Sequence, residues 1–252
     1  MNRFRWRCVL PALLIGLIFQ TSSDAMDLNA HLGIIPPHAE TGVDGQPRGG
    51  FVELVRALDE VYTEGRIIIN LYPVARASHN LRKGKADFVL PTIPHPHIPL
   101  EDQPYAFAQE PIVEVSFVLY TRADRPVLSM DKIGNYRIDV VRGTDIFSFA
   151  VHGIGDFQQG ILRVIAGRSD GFISEQEGAD AFIRKNKVKN IHRTLYATFN
   201  ASIMIPKGPR GKEIDRIVSQ ALRTLKESGK LRKITDTIHR SYSDWQPHRT
   251  DW

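Results

Sequence analysis

Cysteine is nearly missing. The 252-residue chain has one, Cys8, and it stands at the head of a segment with the pattern of an export leader. Once that segment is cleaved, the chain has no disulfide, no thiol nucleophile and no cysteine metal ligand. Long apolar runs are missing too. The longest, residues 8–19, holds 12 residues, against the roughly 20 that a membrane-spanning helix needs. There is no nucleophile elbow, no phosphate-binding glycine loop and no His-Glu-x-x-His, so the common enzyme signatures are absent. A strong charge of one sign is also lacking: the net charge is +5, with the basic residues dispersed and the aromatic residues not interleaved with them. That pattern argues against a nucleic-acid surface. Glycine (19) and proline (15) are ordinary, which excludes collagen-like or low-complexity sequence.

What is present describes a globular chain: 42% hydrophobic and 24% charged residues, enough to build one or two ordinary domains. The N-terminus has three parts in the order of a secretory signal peptide. Arg3, Arg5 and Arg7 precede the apolar run, and a polar, small-residue stretch ends at Ala25. Cleavage there leaves 227 residues and removes three arginines and one aspartate, lowering the net charge from +5 to +3. The expected location is the periplasm. Cys8 precedes the apolar run rather than following it, a poor position for lipidation.

The remaining chain alternates strand-like and helix-like runs, the pattern of an α/β protein. Phe51, Leu54, Val55, Leu58 and Val61 recur at helical spacing. Ile67–Leu71 reads as a strand, and residues 75–84 as a helix stopped by Gly84. Asp87–Leu90 is a strand, and four prolines between 91 and 101 forbid regular structure there. Val113–Thr121 is the longest strand candidate, followed by strands at 137–141 and near 170–173. Ala201–Ile205 is a late strand. Ile214, Ile217, Val218, Ala221, Leu222 and Leu225 stripe a helix, and Leu231, Ile234 and Ile238 begin another. The tail from 240 to 252 shows no periodicity.

Several short motifs then fall in a particular order: Ile35-Pro-Pro-His38, Asp44-Gly-Gln-Pro47 followed by Gly50-Phe-Val-Glu-Leu54, Leu81-Arg-Lys-Gly-Lys-Ala-Asp87, and Phe107-Ala-Gln-Glu-Pro-Ile112. Further along come Val140-Val-Arg-Gly-Thr144, Gly167-Arg-Ser-Asp-Gly-Phe-Ile-Ser-Glu175 and Ser228-Gly-Lys-Leu231. In order and spacing, over roughly residues 28–240, the chain resembles the bacterial periplasmic solute-binding proteins of family 3, the amino-acid-type receptors of ABC importers. The resemblance implies a two-lobed fold of the type II periplasmic-binding-protein kind, with two hinge strands and a ligand cleft between the lobes. It places the signal peptide at 1–25, the first lobe at 26–112, the second at 113–202, and the rest of the first lobe with a C-terminal tail at 203–252. It implies an exported receptor, not an enzyme, that captures a small polar molecule, amino-acid-like or related, by lobe closure and delivers it to an ABC importer; it also implies a monomer, no cofactor, and a partner that is an ABC permease or a membrane sensor.

The same resemblance supplies a candidate ligand set: His38, Thr92, His95, His97, Arg142, Thr144 and Glu175. Arg142 and Thr144 lie on the loop that the family uses for ligand contact, and that loop is open to a second reading as a strand-to-helix turn with Thr144 or Asp145 as a cap. Glu175 has the spacing of the acid that accepts a ligand's α-ammonium group, or is a surface glutamate favoured at a helix start. His38 stands where the family often has an aromatic ring. The chain departs from the family at 91–99. Thr92 is present, but Pro94-His-Pro-His97 replaces the arginine that forks onto an amino acid's carboxylate. His95 and His97 there fit polar contact with a ligand, part of a metal site, or an exposed loop with no ligand role. Two alternatives to a transport receptor follow. One is a dehydratase of the cyclohexadienyl type with Glu175 as general acid; the other is a ligand-sensing partner of a membrane signalling protein.

Overall fold

The computed structural model describes residues 26–246, and the expected leader at 1–25 lies outside them. The chain begins with β1 (Leu28–Gly33), the short pair β2 (Glu40–Thr41) and β3 (Pro47–Arg48), α1 (Gly50–Val61), β4 (Ile67–Tyr72), α2 (Val74–Arg82), β5 (Phe88–Thr92) and β6 (Ala106–Phe107). It continues through β7 (Val113–Arg122), β8 (Ile138–Val141), β9 (His152–Ile154), α3 (Phe157–Ile165), β10 (Gly171–Glu175) and α4 (Gln176–Lys185). The long β11 (Ile191–Ile205) then leads to α5 (Pro209–Glu227) and α6 (Lys230–Ile238). None of the helices among the described residues is long and apolar enough to cross a membrane.

One sheet runs through the molecule in the order β4-β1-β5-β11-β7-β10-β8-β9, with β6 also on β11. β1 is parallel to both β4 and β5, and β8 is parallel to both β10 and β9. β11 joins the two halves. Residues Ile191 to Ala201 pair antiparallel with β7, then Ser202 and Met204 pair with β5. The backbone therefore crosses between halves at Ile112–Val113 and again at Ala201–Ser202, on adjacent strands.

Each half has its own core. In the first, α1, α5 and α6 cover one sheet face, where Leu28, Leu32, Leu54, Leu58, Leu90, Ile214 and Leu222 are buried together. The alternation of a strand sends Val89 and Met204 to the opposite face, under Ala77 and Leu81 of α2. In the second, β7 is buried on both faces. Val115, Phe117 and Leu119 meet Ile138, Val140 and Ile173 on one side. Val118 and Tyr120 meet Ile161, Val164, Phe172 and Ile183, contributed by α3, α4 and β10, on the other. Tyr242 and Trp245 of the C-terminal tail also pack on this second-half core. The chain thus returns to the second lobe after α6, a third crossing that the sequence pattern does not announce.

Candidate functional site

Parallel strands end on the same side of their sheet, and in open α/β sheets the loops at those ends make the binding crevice. Here the ends of β1 and β5 in one lobe face the ends of β8 and β10 in the other. Between them lies a cavity of ≈ 390 Å³. His38, Phe51, Val74, Thr92, His95 and Tyr105 line it from the first lobe, and Gly143, Thr144, Asp145, Phe157 and Glu175 from the second.

Two contacts between the lobes border the cavity. Gly143 has φ +97°, a region that side-chain-bearing residues avoid, and a Cβ there would stand 2.9 Å from the Ala75 amide nitrogen at the start of α2. Glycine both permits the turn and lets the two backbones approach. The second contact is His38 Nε2 to Glu175 Oε2, at 3.7 Å. His38 is fixed by a tight loop in which its own amide donates to the Ile35 carbonyl and the Ile35 amide donates to the Ala39 carbonyl. Its ring stands edge-on to Phe51 with centroids 6.0 Å apart. Its side chain is 95% buried, and Nε2 has no hydrogen-bond partner.

Glu175 is both cap and wall. Oε1 accepts from the Glu177 amide at 2.8 Å and Oε2 from the Gly178 amide at 3.4 Å, closing the first turn of α4. The carboxyl also faces the cavity. Burial pushes it up to about 8, reinforced by the nearby Glu177 and Asp180 carboxylates and opposed by the two amides it caps. Burial pushes His38 the other way, down to about 4, helped by His239 behind it. At neutral pH both groups are uncharged. The pair is therefore a protonated carboxyl facing a neutral imidazole across a gap too long for a hydrogen bond, not an ion pair.

The other candidates divide. Thr92 reaches the cavity, but its hydroxyl donates to the Ser202 carbonyl at 2.9 Å, which ties β5 to the crossing strand. Thr144 lines the cavity in a turn closed by its own amide on the Val141 carbonyl. His95 lines it too, while its Nδ1 accepts from the His97 amide at 3.2 Å. His97 stands outside the lining: its ring is exposed and set edge-on to His95 at 5.9 Å. Arg142 also stands outside it, because its guanidinium turns away to the Gly153 carbonyl at 3.4 Å. Among the described residues no three metal-ligating side chains converge. His38 meets Glu175 rather than the His95–His97 pair.

Residues without a motif complete the site. Gln103, 3% exposed, orders the proline-rich loop: its Oε1 accepts from the His95 amide, and its Nε2 donates to the His95 and Ile98 carbonyls. Phe117, Phe157, Ile146, Met204 and Ile238 supply apolar wall. No short-range signal marks them as cavity residues, because each belongs to a core pattern that continues behind the wall.

Behind Glu175 the tail is strapped to α4. Gln176 Nε2 donates to the Arg240 carbonyl at 2.5 Å, and the Arg240 amide donates to Glu177 Oε1 at 2.7 Å. Arg193, with a side chain 1% exposed, pairs with Asp180 at 2.7 Å, and its guanidinium donates to the Tyr242 and Trp245 carbonyls. It lies 4.8 Å from the Tyr242 ring centroid and 5.1 Å from that of Trp245.

No family model matches the sequence, and no curated protein matches it. Solved structures do match the fold. A histidine kinase sensor domain with similarity to periplasmic binding proteins superposes with TM-score 0.72 at 17% identity, over 89% of this chain and 100% of that one. A substrate-binding protein of an ABC uptake transporter from Streptococcus pneumoniae, with bound histidine, gives 0.67 at 13% identity, over 83% and 91%. An ancestral amino-acid-binding protein, a precursor of cyclohexadienyl dehydratase, gives 0.65 at 16%, over 85% and 96%. The two lobes, the paired crossing strands and the cavity between them are those of a type II periplasmic-binding-protein fold.

Proposed function

We propose that this chain is an exported solute receptor that captures a small molecule by closing its two lobes over it. In this reading the captured solute is handed to an ABC importer, and the leader at 1–25 directs the protein to the periplasm. The observation that supports it is the cavity walled from both lobes, with the lobes touching at Gly143–Ala75 and His38–Glu175. Such closure requires a ligand that binds the closed arrangement better than the open one. In this reading the solute contacts come from His38, Thr92, His95, Thr144 and Glu175, which line the cavity, and not from His97 and Arg142, which lie outside its lining.

A thermal-shift screen of purified protein against amino acids, amines, organic acids, sugars and divalent metals tests this. A ligand at a hundred times its dissociation constant raises stability by about 2.7 kcal/mol. Stabilisation by one chemical class is the expected result; no shift from any class refutes the receptor reading.

A second reading, dehydration of a cyclic acid, draws on one observation: Glu175 keeps its proton at neutral pH, the form a general acid needs. It stands second because such substrates are carboxylates, and the Arg142 guanidinium faces away from the cavity. Turnover of prephenate or arogenate by the purified protein would reverse that order.

A further inference from the structure

The cavity wall is chemically one-sided. Among the described residues, its only lysine or arginine is Arg82, an exposed side chain at the last residue of α2. Its acids are Glu175, enclosed, and Asp145, exposed on the second-lobe loop. The remaining wall is largely apolar and includes the rings of Phe51, Tyr105, Phe117 and Phe157. Away from Arg82 at the exposed end of the cavity, a carboxylate placed inside would find no guanidinium beside it and would face an uncompensated desolvation cost. An ammonium group meets the opposite conditions: acceptors at Glu175 and His38, and ring faces that attract cations.

The gap between His38 and Glu175 supplies the second observation. His38 Nε2 is buried, unpartnered and aimed at Glu175 from 3.7 Å. The two atoms are too far apart to bond each other, and a hydrogen-bonding group from a ligand can serve both.

On the reading that the protein is a solute receptor, we infer that its cavity takes a primary amine with an apolar body and no carboxylate, its ammonium seated between the Glu175 carboxyl and His38 Nε2. The ammonium donates to both, and the apolar body lies against the aromatic wall. For the ammonium to sit there, Glu175 must ionise, so binding releases its proton to solvent. The groups facing Glu175 are His38 on the first-lobe loop, Glu177 and Asp180 on α4, and Tyr120 on β7. None of them presents a competing cation: His38 is neutral near pH 7, and Tyr120 donates its hydroxyl to Asp180.

Four probes with one body and different heads test the inference on the unaltered protein by calorimetry: phenethylamine, free L-phenylalanine, 3-phenylpropionate and 2-phenylethanol. Phenethylamine is expected to bind at least tenfold more tightly than each of the others. Its binding at pH 7, compared in two buffers of different ionisation heat, is expected to release close to one proton. Glu175→Gln should weaken phenethylamine at least tenfold and remove the proton release. Phenylalanine, phenylpropionate or phenylethanol binding as tightly as the amine overturns the inference, as does amine binding without proton release. If none of the four binds while a solute of another class does, the inference falls and the receptor reading stands. If no class binds, both fall.

Discussion

Glu175 makes the pH dependence of stability unusual, and the effect can be worked out. In the native protein its proton is held up to about pH 8, whereas the unfolded chain releases it near the ordinary glutamate value of 4.5. A group raised on folding stabilises at low pH, and that contribution drains away as pH rises through the native value. Between 4.5 and 6.5 this slope is masked. His38, His31 and His239 are lowered on folding, so their contribution grows with pH over the same span, while Asp180, raised to about 6, adds to the fall. Above pH 6.5 Asp180 is largely ionised in both states, but the unfolded histidines, half protonated at 6.5, finish neutralising only by about pH 7.5 and still add about 0.4 kcal/mol each. A variant that cannot ionise at 175 carries the same histidine contribution, so the difference between it and the wild type isolates Glu175.

Glu175 makes the native state retain one extra proton at about 1.4 kcal/mol per pH unit, so wild-type stability should fall by ~2 kcal/mol relative to that variant between pH 6.5 and 8. The Glu175 side chain is 20% exposed, which makes that figure a ceiling. In a chain of this size it corresponds to a fall in Tm of ~4–8 °C. Thermal unfolding of ligand-free protein at pH 6.5, 7.25 and 8 measures it. Glu175→Gln keeps an oxygen for the α4 cap and cannot ionise, so its Tm should rise slightly over the same range as the unfolded histidines lose their protons, while the wild type falls relative to it. A variant whose Tm runs parallel to that of the wild type from pH 6.5 to 8 refutes the assignment of the proton to Glu175.

Three further outcomes follow from local geometry. Arg193→Ala leaves the Asp180 carboxylate buried without its cation and should cost ~3–5 kcal/mol in urea unfolding; a loss under about 1 kcal/mol would contradict the buried pair. Gly143→Val forces a side chain into a φ of +97° and against the Ala75 backbone, so it should cost ~1–3 kcal/mol and weaken any cleft ligand found by the screen. Unchanged affinity would show that the lobes do not meet there in the liganded state. Gly160→Ala places a Cβ 2.6 Å from the Phe172 ring, and this crowding (~1–3 kcal/mol) should outweigh the helix-propensity gain of about 1 kcal/mol. A raised Tm would show the ring has room to move.

Amphipathic elements were legible in the sequence. The stripe in α1 is buried at Phe51, Leu54, Val55 and Leu58, and that in α5 at Ile214, Ile217, Val218, Ala221, Leu222 and Leu225, as helical spacing requires. β7 was legible as a run of β-branched and aromatic residues buried on both faces. The first ten residues of β11 were not. They pair with β7 alone, at an edge, so their side chains are half-exposed and mixed in polarity. α4 was missed because Ala179 and Ile183 make only a narrow apolar face among polar neighbours.

At the site, the order of motifs located the loops, because loop position follows from strand order. It did not give side-chain direction. Arg142 and His97 are neighbours of cavity residues that point elsewhere, a property of loop conformation that residue spacing does not encode. The strap was hidden for a different reason: Arg193 meets Tyr242 and Trp245 across 49 and 52 residues of sequence.

That strap bears on how far the cleft can open. Ile238 belongs to the first-lobe core, while the Arg240 amide and carbonyl are bonded to Glu177 and Gln176 of the second lobe. Only His239 lies between them, and two residue steps of extended chain span ~7 Å. A rotation that carries the start of α4 further than this from the end of α6 must break the Arg240 hydrogen bonds or draw Tyr242 and Trp245 off Arg193. Glu175 sits on that same turn of α4, so the tether limits the separation of the His38–Glu175 pair itself. Two hinge strands alone impose no such stop. The ligand-free protein should therefore open narrowly, and removal of residues 240–252 should widen the opening. Small-angle scattering reads this as a larger radius of gyration in the ligand-free truncated protein, with the difference lost when a cleft ligand is added. Equal radii with and without the tail would mean that the rotation axis passes through the strap, making it a third hinge rather than a stop.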